Sequence, residues 1–163
     1  MTEENHQSLL FNPVLIAGSL ILIVGFAIRA SFGVFQIPIE EEFGWLRVDF
    51  SLAIAIQNLA WGIGQPLFSM IAEKYGDRKA IFLGSVLYAV GLILSSYAVT
   101  PLAHQFLEIL IGFGIAGMGF GVILAVIGRT TSEKHRSLAL GIATSAGSLG
   151  QIIGPPGIEK LLQ

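Results

Sequence analysis

The chain has 163 residues, 53% of them hydrophobic and 12% charged, with a net charge of -2 and no cysteine. That is more apolar and about half as charged as an ordinary soluble domain, which excludes a water-soluble globular protein and points to helices in lipid. The absence of cysteine excludes a disulfide framework and a thiolate metal site, and the small net charge singles out no partner.

In chain order, residues 1–12 read as an amino-terminal tail. Thr2-Glu3-Glu4-Asn5-His6-Gln7 is acidic where a secretory leader is basic. The apolar run behind it is longer than the roughly 7 to 15 residues of a leader's core, so it reads as a retained helix. Five segments approach the about 20 apolar residues that cross a bilayer, namely 13–35, 50–72, 80–97, 102–127 and 138–153. The expected fold is all-α, a polytopic membrane bundle over 13–157, with 158–163 as an unfinished end.

The first span carries Arg29 and the fourth carries Glu108. A charge at mid-membrane costs about 2.5 to 3.5 kcal/mol on insertion scales, so it is normally turned toward protein or an aqueous cavity and is a functional candidate by default. Counting about 1.5 Å per residue from the outer ends of their spans, both lie roughly 10 to 13 Å deep and can share a level. If the two helices line one cavity, guanidinium and carboxylate can pair when it is empty, and an anionic substrate can compete for the arginine fork. The alternative is that Glu108 snorkels to the outer headgroups with His104 one turn away, and that Arg29 bonds backbone carbonyls. In the second span, Gln57 and Asn58 are further binding candidates that serve equally well to tie helices together. His104 and Glu108 have the spacing of a metal pair on a helix but lack a third ligand, so no metal site is expected.

The loop 72–79 places Gly76 between two spans with hardly any linker. Glu73 stands at a helix carboxyl end, where the dipole disfavours it, and is expected to have a cationic partner such as Lys74 or Arg78. In the fourth span Gly112-Phe113-Gly114-Ile115-Ala116-Gly117 spells the dinucleotide fingerprint, yet lies inside one apolar run rather than at a strand-to-helix turn. Nucleotide and nucleic-acid partners are therefore not expected. Gly117, Gly121 and Ala125, and in the fifth span Ala146, Gly150 and Gly154, have the four-residue spacing of helix-packing seams.

Lysine and arginine resist translocation, so loops rich in them face the cytoplasm. The loop after the second span has Lys74, Arg78 and Lys79, and that after the fourth has Arg129, Lys134 and Arg136. The hinge after the first span sets Glu40, Glu41, Glu42 and Asp49 against Arg47, and the hinge 98–105 has no lysine or arginine. A cell-membrane protein with a cytoplasmic amino terminus and an outer carboxyl end is expected.

Glu73, Lys74, Gly76, Arg78 and Lys79 resemble the signature loop of the major facilitator superfamily, with Ser69 where that family usually has glycine and Glu73 where aspartate is commoner. Arg29-Ala30-Ser31-Phe32-Gly33-Val34-Phe35, followed by Phe43-Gly44-Trp45 and Arg47, is similar to the first helix and outer loop of its monocarboxylate porter and oxalate/formate antiporter branches. Residues 136–143 resemble the opening of that family's fifth helix, and 150–157 a loose antiporter motif; Glu108 stands where the fourth helix often has arginine. The resemblance implies twelve helices in two halves of inverted three-helix repeats, with substrate held near the midplane between the halves. It further implies a secondary transporter for a small organic anion, with Arg29 as carboxylate anchor and Glu73 to Lys79 as a conformational latch. Five helices of an incomplete six-helix half make the chain an expected amino-terminal fragment, whose partners are the bilayer, the substrate and the missing helices. No cofactor is expected. Two other classes stand beside this one. A small structural or regulatory membrane protein would be complete at this length, and an intramembrane enzyme would need a serine and a histidine at matching depths, which the spans do not supply.

Overall fold

A computed structural model describes residues 12–162, and among these residues the only regular structure is helical. We label the helices α1 (Pro13–Ser31), α2 (Gln36–Phe43), α3 (Arg47–Tyr75), α4 (Asp77–Ser95), α5 (Pro101–Met118), α6 (Phe120–Thr130) and α7 (Glu133–Leu162), with a short 3-10 turn, Phe32–Phe35, between α1 and α2. Lipid offers backbone groups no hydrogen bonds, and helices satisfy theirs internally. Of the expected tail, only Asn12 is among the described residues.

Local chemistry sets the helix ends. The Asn12 side chain accepts from the Val14 and Leu15 N–H groups at 2.9 and 3.4 Å, with Pro13 in the first helical position. Thr100 caps α5 through the Ala103 N–H, again with proline behind it. Asp49 accepts from the Leu46 N–H at the start of α3. After α6, the Arg136 side chain donates to the Gly128 carbonyl at 2.9 Å and so closes one of that helix's orphan acceptors.

Four helical stretches are long and apolar enough to cross a membrane: Pro13–Phe43, Asp77–Ser95, Pro101–Thr130 and Glu133–Leu161. α3, expected as the second of five spans, has 29 residues and is about 43 Å long by helical rise. It outreaches the hydrocarbon core of about 30 Å. Gln57, Asn58 and Gln65 hold its most apolar stretch below those of the other four. Two further differences from the expected spans are visible. The fourth helix breaks at Gly119, in a glycine-rich stretch of low helix propensity. The fifth continues to Leu162 through Pro155 and Pro156 rather than ending near 153, which the tolerance of membrane helices for proline permits.

The chain divides into two compact units, one of residues 1–31 and 123–163 and one of 32–122. In the first unit α7 lies along α1. A Cβ at Gly150 would overlap the Ile23 carbonyl, and one at Gly154 the Ala27 carbonyl, so the two backbones touch where side chains are missing. Leu15, Leu22, Phe26, Ile123 and Ile127 are buried around that seam.

In the second unit α5 packs along both α3 and α4. Gly112 abuts the Gln57 carbonyl and Ala60, Gly114 the Tyr88 backbone, and Gly117 both Phe68 and Gly84. Of the seam expected at Gly117, Gly121 and Ala125, Gly117 makes a backbone approach, Gly121 meets only the end of the Gln65 side chain, and Ala125 is exposed. The seam instead runs from Gly112 to Gly117, because α5 is clamped on two sides and the break at Gly119 ends the register.

The close approach of α1 and α7 makes a paired prediction. Gly154→Ala forces two backbones apart and costs about 1 to 3 kcal/mol, as overpacking does. Gly141→Ala, at a helical glycine with nothing within 4 Å, is neutral or stabilising. Thermal unfolding of both variants in detergent micelles, followed by circular dichroism, checks this; equal midpoints would show that the seam does not hold the pair.

Candidate functional site

The amino-terminal half of α5 presents His104, Glu108, Ile111 and Gly112 at three- and four-residue intervals, all buried. This face meets α3 and α4. Glu108 has no exposed surface and Gln57 is 1% exposed. The Gln57 Nε2 donates to Glu108 Oε2 at 2.6 Å. His104 Nε2 lies 3.4 Å from Glu108 Oε1, long for a hydrogen bond, and neither atom has another hydrogen-bond partner. On its other side, His104 Nδ1 is 2.8 Å from Ser95 Oγ, at the last residue of α4. A polar chain thus runs Ser95, His104, Glu108, Gln57 and joins three helices.

Aromatic rings cover it. The Trp45 ring centroid lies 5.4 Å and that of Phe50 5.9 Å from the His104 ring, the latter stacked. Trp45 is held by its own Nε1–H donating to the Val99 carbonyl at 3.3 Å, and Gly44 before it takes φ +66, which favours glycine. Gln105 donates to the Asp49 carbonyl at 3.3 Å, which ties the start of α5 to the start of α3.

Two other sequence candidates are on α1 and α3. Arg29 is in the last turn of α1, half-buried, in the first unit. The helix dipole favours a cation there, and the 3-10 turn begins three residues on. Asn58 faces outward and donates to the Ile54 carbonyl of its own helix at 2.8 Å. Glu108 draws its partners within its own unit from an amide and an imidazole. Ser95 carried no sequence signal, being one serine at a helix end, so the serine and histidine that the sequence did not place at matching depths do meet here; Trp45 entered only through a resemblance.

At the loop after α3, Gly76 adopts φ +97 and ψ 147, a conformation closed to residues with a Cβ. Its N–H donates to the Ala72 carbonyl at 2.9 Å, and its own carbonyl accepts from Lys79 and Ala80. One residue thereby ends α3 and starts α4. Glu73, Lys74, Arg78 and Lys79 are all exposed, and Lys74 Nζ stands 5.1 Å from the Tyr75 ring centroid. The cation expected beside Glu73 is not there: among the described residues, no lysine or arginine lies within ion-pair distance of its carboxylate. At an exposed helix end water screens the dipole, which removes the need for a partner.

Residues 17–162 match the family model described as Major Facilitator Superfamily. The chain belongs to that superfamily. It is 34% identical over 146 residues to a Bos taurus protein named Monocarboxylate transporter 13, covering 84% of this chain and 32% of that one. The Rattus norvegicus protein of the same name is 34% identical over 143 residues, with the same coverage. A Bacillus subtilis (strain 168) protein named Uncharacterized MFS-type transporter YcxA is 30% identical over 135 residues, covering 78% of this chain and 31% of that one. The chain spans about a third of the length of the curated relatives it matches. Major facilitator proteins are multi-pass membrane transporters, so the helices above sit in a bilayer, and the family speaks for transport rather than catalysis.

The geometry of the signature loop gives a second prediction. Gly76→Ala forces a Cβ into a conformation open essentially to glycine alone and lowers stability by about 1 to 3 kcal/mol. Gly33→Ala, with open space and an ordinary backbone, leaves stability unchanged within about 1 kcal/mol. Thermal melts in detergent separate the two, and a Gly76→Ala protein as stable as the parent would contradict the strained junction.

Proposed function

We propose that the chain is the amino-terminal part of a secondary transporter that moves a small organic anion, such as a monocarboxylate, across the cell membrane by alternating access. The observation that carries this reading is the family match across 17–162 together with relatives named as monocarboxylate transporters. Alternating access rocks one half of a transporter against the other around a central site. Activity on this reading requires helices that the relatives have beyond the third matched here.

Arg29 is the anchor. It is the sole lysine or arginine of the first apolar segment, and its guanidinium stays charged and offers a carboxylate two parallel donors. The half-buried end of α1, beside a 3-10 turn, supports a group meant to meet a ligand rather than to fill a core. Glu73, Lys74, Arg78 and Lys79, solvated around a rigid Gly76, form the latch: they are available to pair with the other half in one conformation and to release in the next. The basic loops at 74–79 and 129–136 support a cytoplasmic amino terminus.

Uptake of labelled monocarboxylates by the full-length transporter tests the anchor. Arg29→Lys keeps the charge and loses the fork, so KM is expected to rise about 10- to 100-fold, the worth of a charge-assisted hydrogen bond of about 1.5 to 3 kcal/mol. Unchanged KM and kcat would remove Arg29 from the site.

A further inference from the structure

The buried chain of Ser95, His104, Glu108 and Gln57 is more than helix packing requires. An amide pair would tie α3 to α5 equally well, without placing an ionisable carboxyl where no water reaches it. Glu108 is fully enclosed, and the facing atoms His104 Nε2 and Glu108 Oε1 are both buried and both lack a hydrogen-bond partner. Intramembrane chains of histidine and acidic side chains mark proton pathways. This one also has an entrance. Ser95 closes α4 at the outer hinge, where Ser96, Tyr97, Val99 and Thr100 are exposed, and along α5 Glu108 lies one turn, about 6 Å, deeper than His104.

We propose that Ser95, His104, Glu108 and Gln57 form a proton-binding site, loaded from the outer aqueous phase, that takes up and releases one proton during the transport cycle. The link to the cycle rests on the transporter reading above; the site itself does not. Unloaded, the imidazole carries its proton on Nε2, facing the Glu108 carboxylate, and accepts the Ser95 hydroxyl at Nδ1. On loading, the Ser95 hydroxyl proton passes to Nδ1 and a water-derived proton replaces it on Oγ. The Nε2–H bond then breaks as the proton moves to Oε1. The imidazole ends neutral in its other tautomer, Glu108 ends as a carboxylic acid, and the cluster goes from charge -1 to 0 by the gain of one proton. Gln57 supplies an N–H donor to Oε2 in both states, while Trp45 and Phe50 shield the imidazole from other donors. Of the titratable residues on α3 and α4, Asp49, whose carboxylate accepts from the Leu46 N–H and whose backbone meets Gln105, and Tyr88, beside Gly114, lie against α5; Glu73, Lys74, Arg78 and Lys79 are at the exposed loop. None lies in the relay.

Infrared difference spectroscopy on the full-length transporter in lipid vesicles, stepped from alkaline to acid pH, tests the site without any substrate. A carboxylic-acid C=O band is expected on acidification, lost in Glu108→Gln and shifted to higher frequency in Gln57→Leu, where the carbonyl loses its donor. Glu108→Gln is isosteric, and the helical amide band in the same spectra reports its folding. Wild-type and Glu108→Gln difference spectra that superimpose would overturn the site, whatever the uptake assay gives. A Glu108 band in a protein that moves no monocarboxylate would sustain the site and sink the transport reading instead. Where uptake is present, a pH dye inside the vesicles is expected to show substrate-driven proton movement in wild type and at least a tenfold loss in Glu108→Gln. Retention at the wild-type rate would overturn the link to the cycle.

Discussion

In a solvent as apolar as leucine, helices gain nothing by hiding apolar side chains from it, and the depth of backbone contact that small residues permit is what holds them together. The glycines of this chain follow that constraint. Gly150 and Gly154 bring α7 onto the carbonyls of α1, and Gly112, Gly114 and Gly117 bring α5 onto α3 and α4. Glycines with open space around them, such as Gly62 and Gly141, lie on faces that meet no neighbour. In the plan of the superfamily, inverted three-helix repeats make the first helix the counterpart of the fourth and the second that of the fifth. The pairing of first with fifth then maps onto the pairing of fourth with second, and both pairings are present, as α1 with α7 and α5 with α3. In each, a glycine faces a partner's carbonyl, a geometry that also suits weak Cα–H···O contacts.

The second unit adds polar ties to these apolar ones. Gln57 to Glu108 crosses between α3 and α5, Ser95 to His104 between α4 and α5, and Gln105 to the Asp49 backbone ties the starts of α5 and α3. A buried amide or carboxylate with a wrong neighbour is costly in low dielectric, so such ties choose one register where methyl groups would accept several. They also bind the three helices at the level where the polar chain runs. The amino-terminal part of α5 is consequently tightly constrained, held by a cap, an aromatic cover and three interhelical hydrogen bonds.

The helix ends that were legible in the sequence rest on local chemistry. The starts at Pro13 and next to Pro101 and the junction at Gly76 each follow from the backbone preferences of those residues. The ends that depend on tertiary surroundings were not legible. The 3-10 turn after Ser31, the break at Gly119 and the passage of α7 through two prolines respond to neighbours that a single segment does not reveal. The same division holds for the site. Depth along a helix follows from counting residues, which singled out Arg29 and Glu108 as charges within the hydrocarbon. The partners of Glu108 depend on how α3 and α4 are rotated about their axes, and a rotation of one residue in α3 would present Asn58 in place of Gln57. Periodicity alone leaves that angle open by about 100° for each such step.

The long helix with the least apolar membrane-length stretch is also the one that reaches Glu108. α3 lacks a stretch as apolar as those of the other four because of its amides, and one of those amides donates to Glu108 while Asn58 donates to its own backbone. Sequences that specify a single structure keep their local preferences consistent with the fold, and the exceptions collect where function is carried. α3 is such an exception: each amide weakens its preference for lipid, and Gln57 recovers part of that cost by satisfying an acid that would otherwise be excluded from the membrane interior. The two departures therefore support each other. An apolar residue at 57 would take the donor from Glu108 Oε2, and an apolar residue at 108 would take the acceptor from the Gln57 amide, so each group lowers the cost of burying the other.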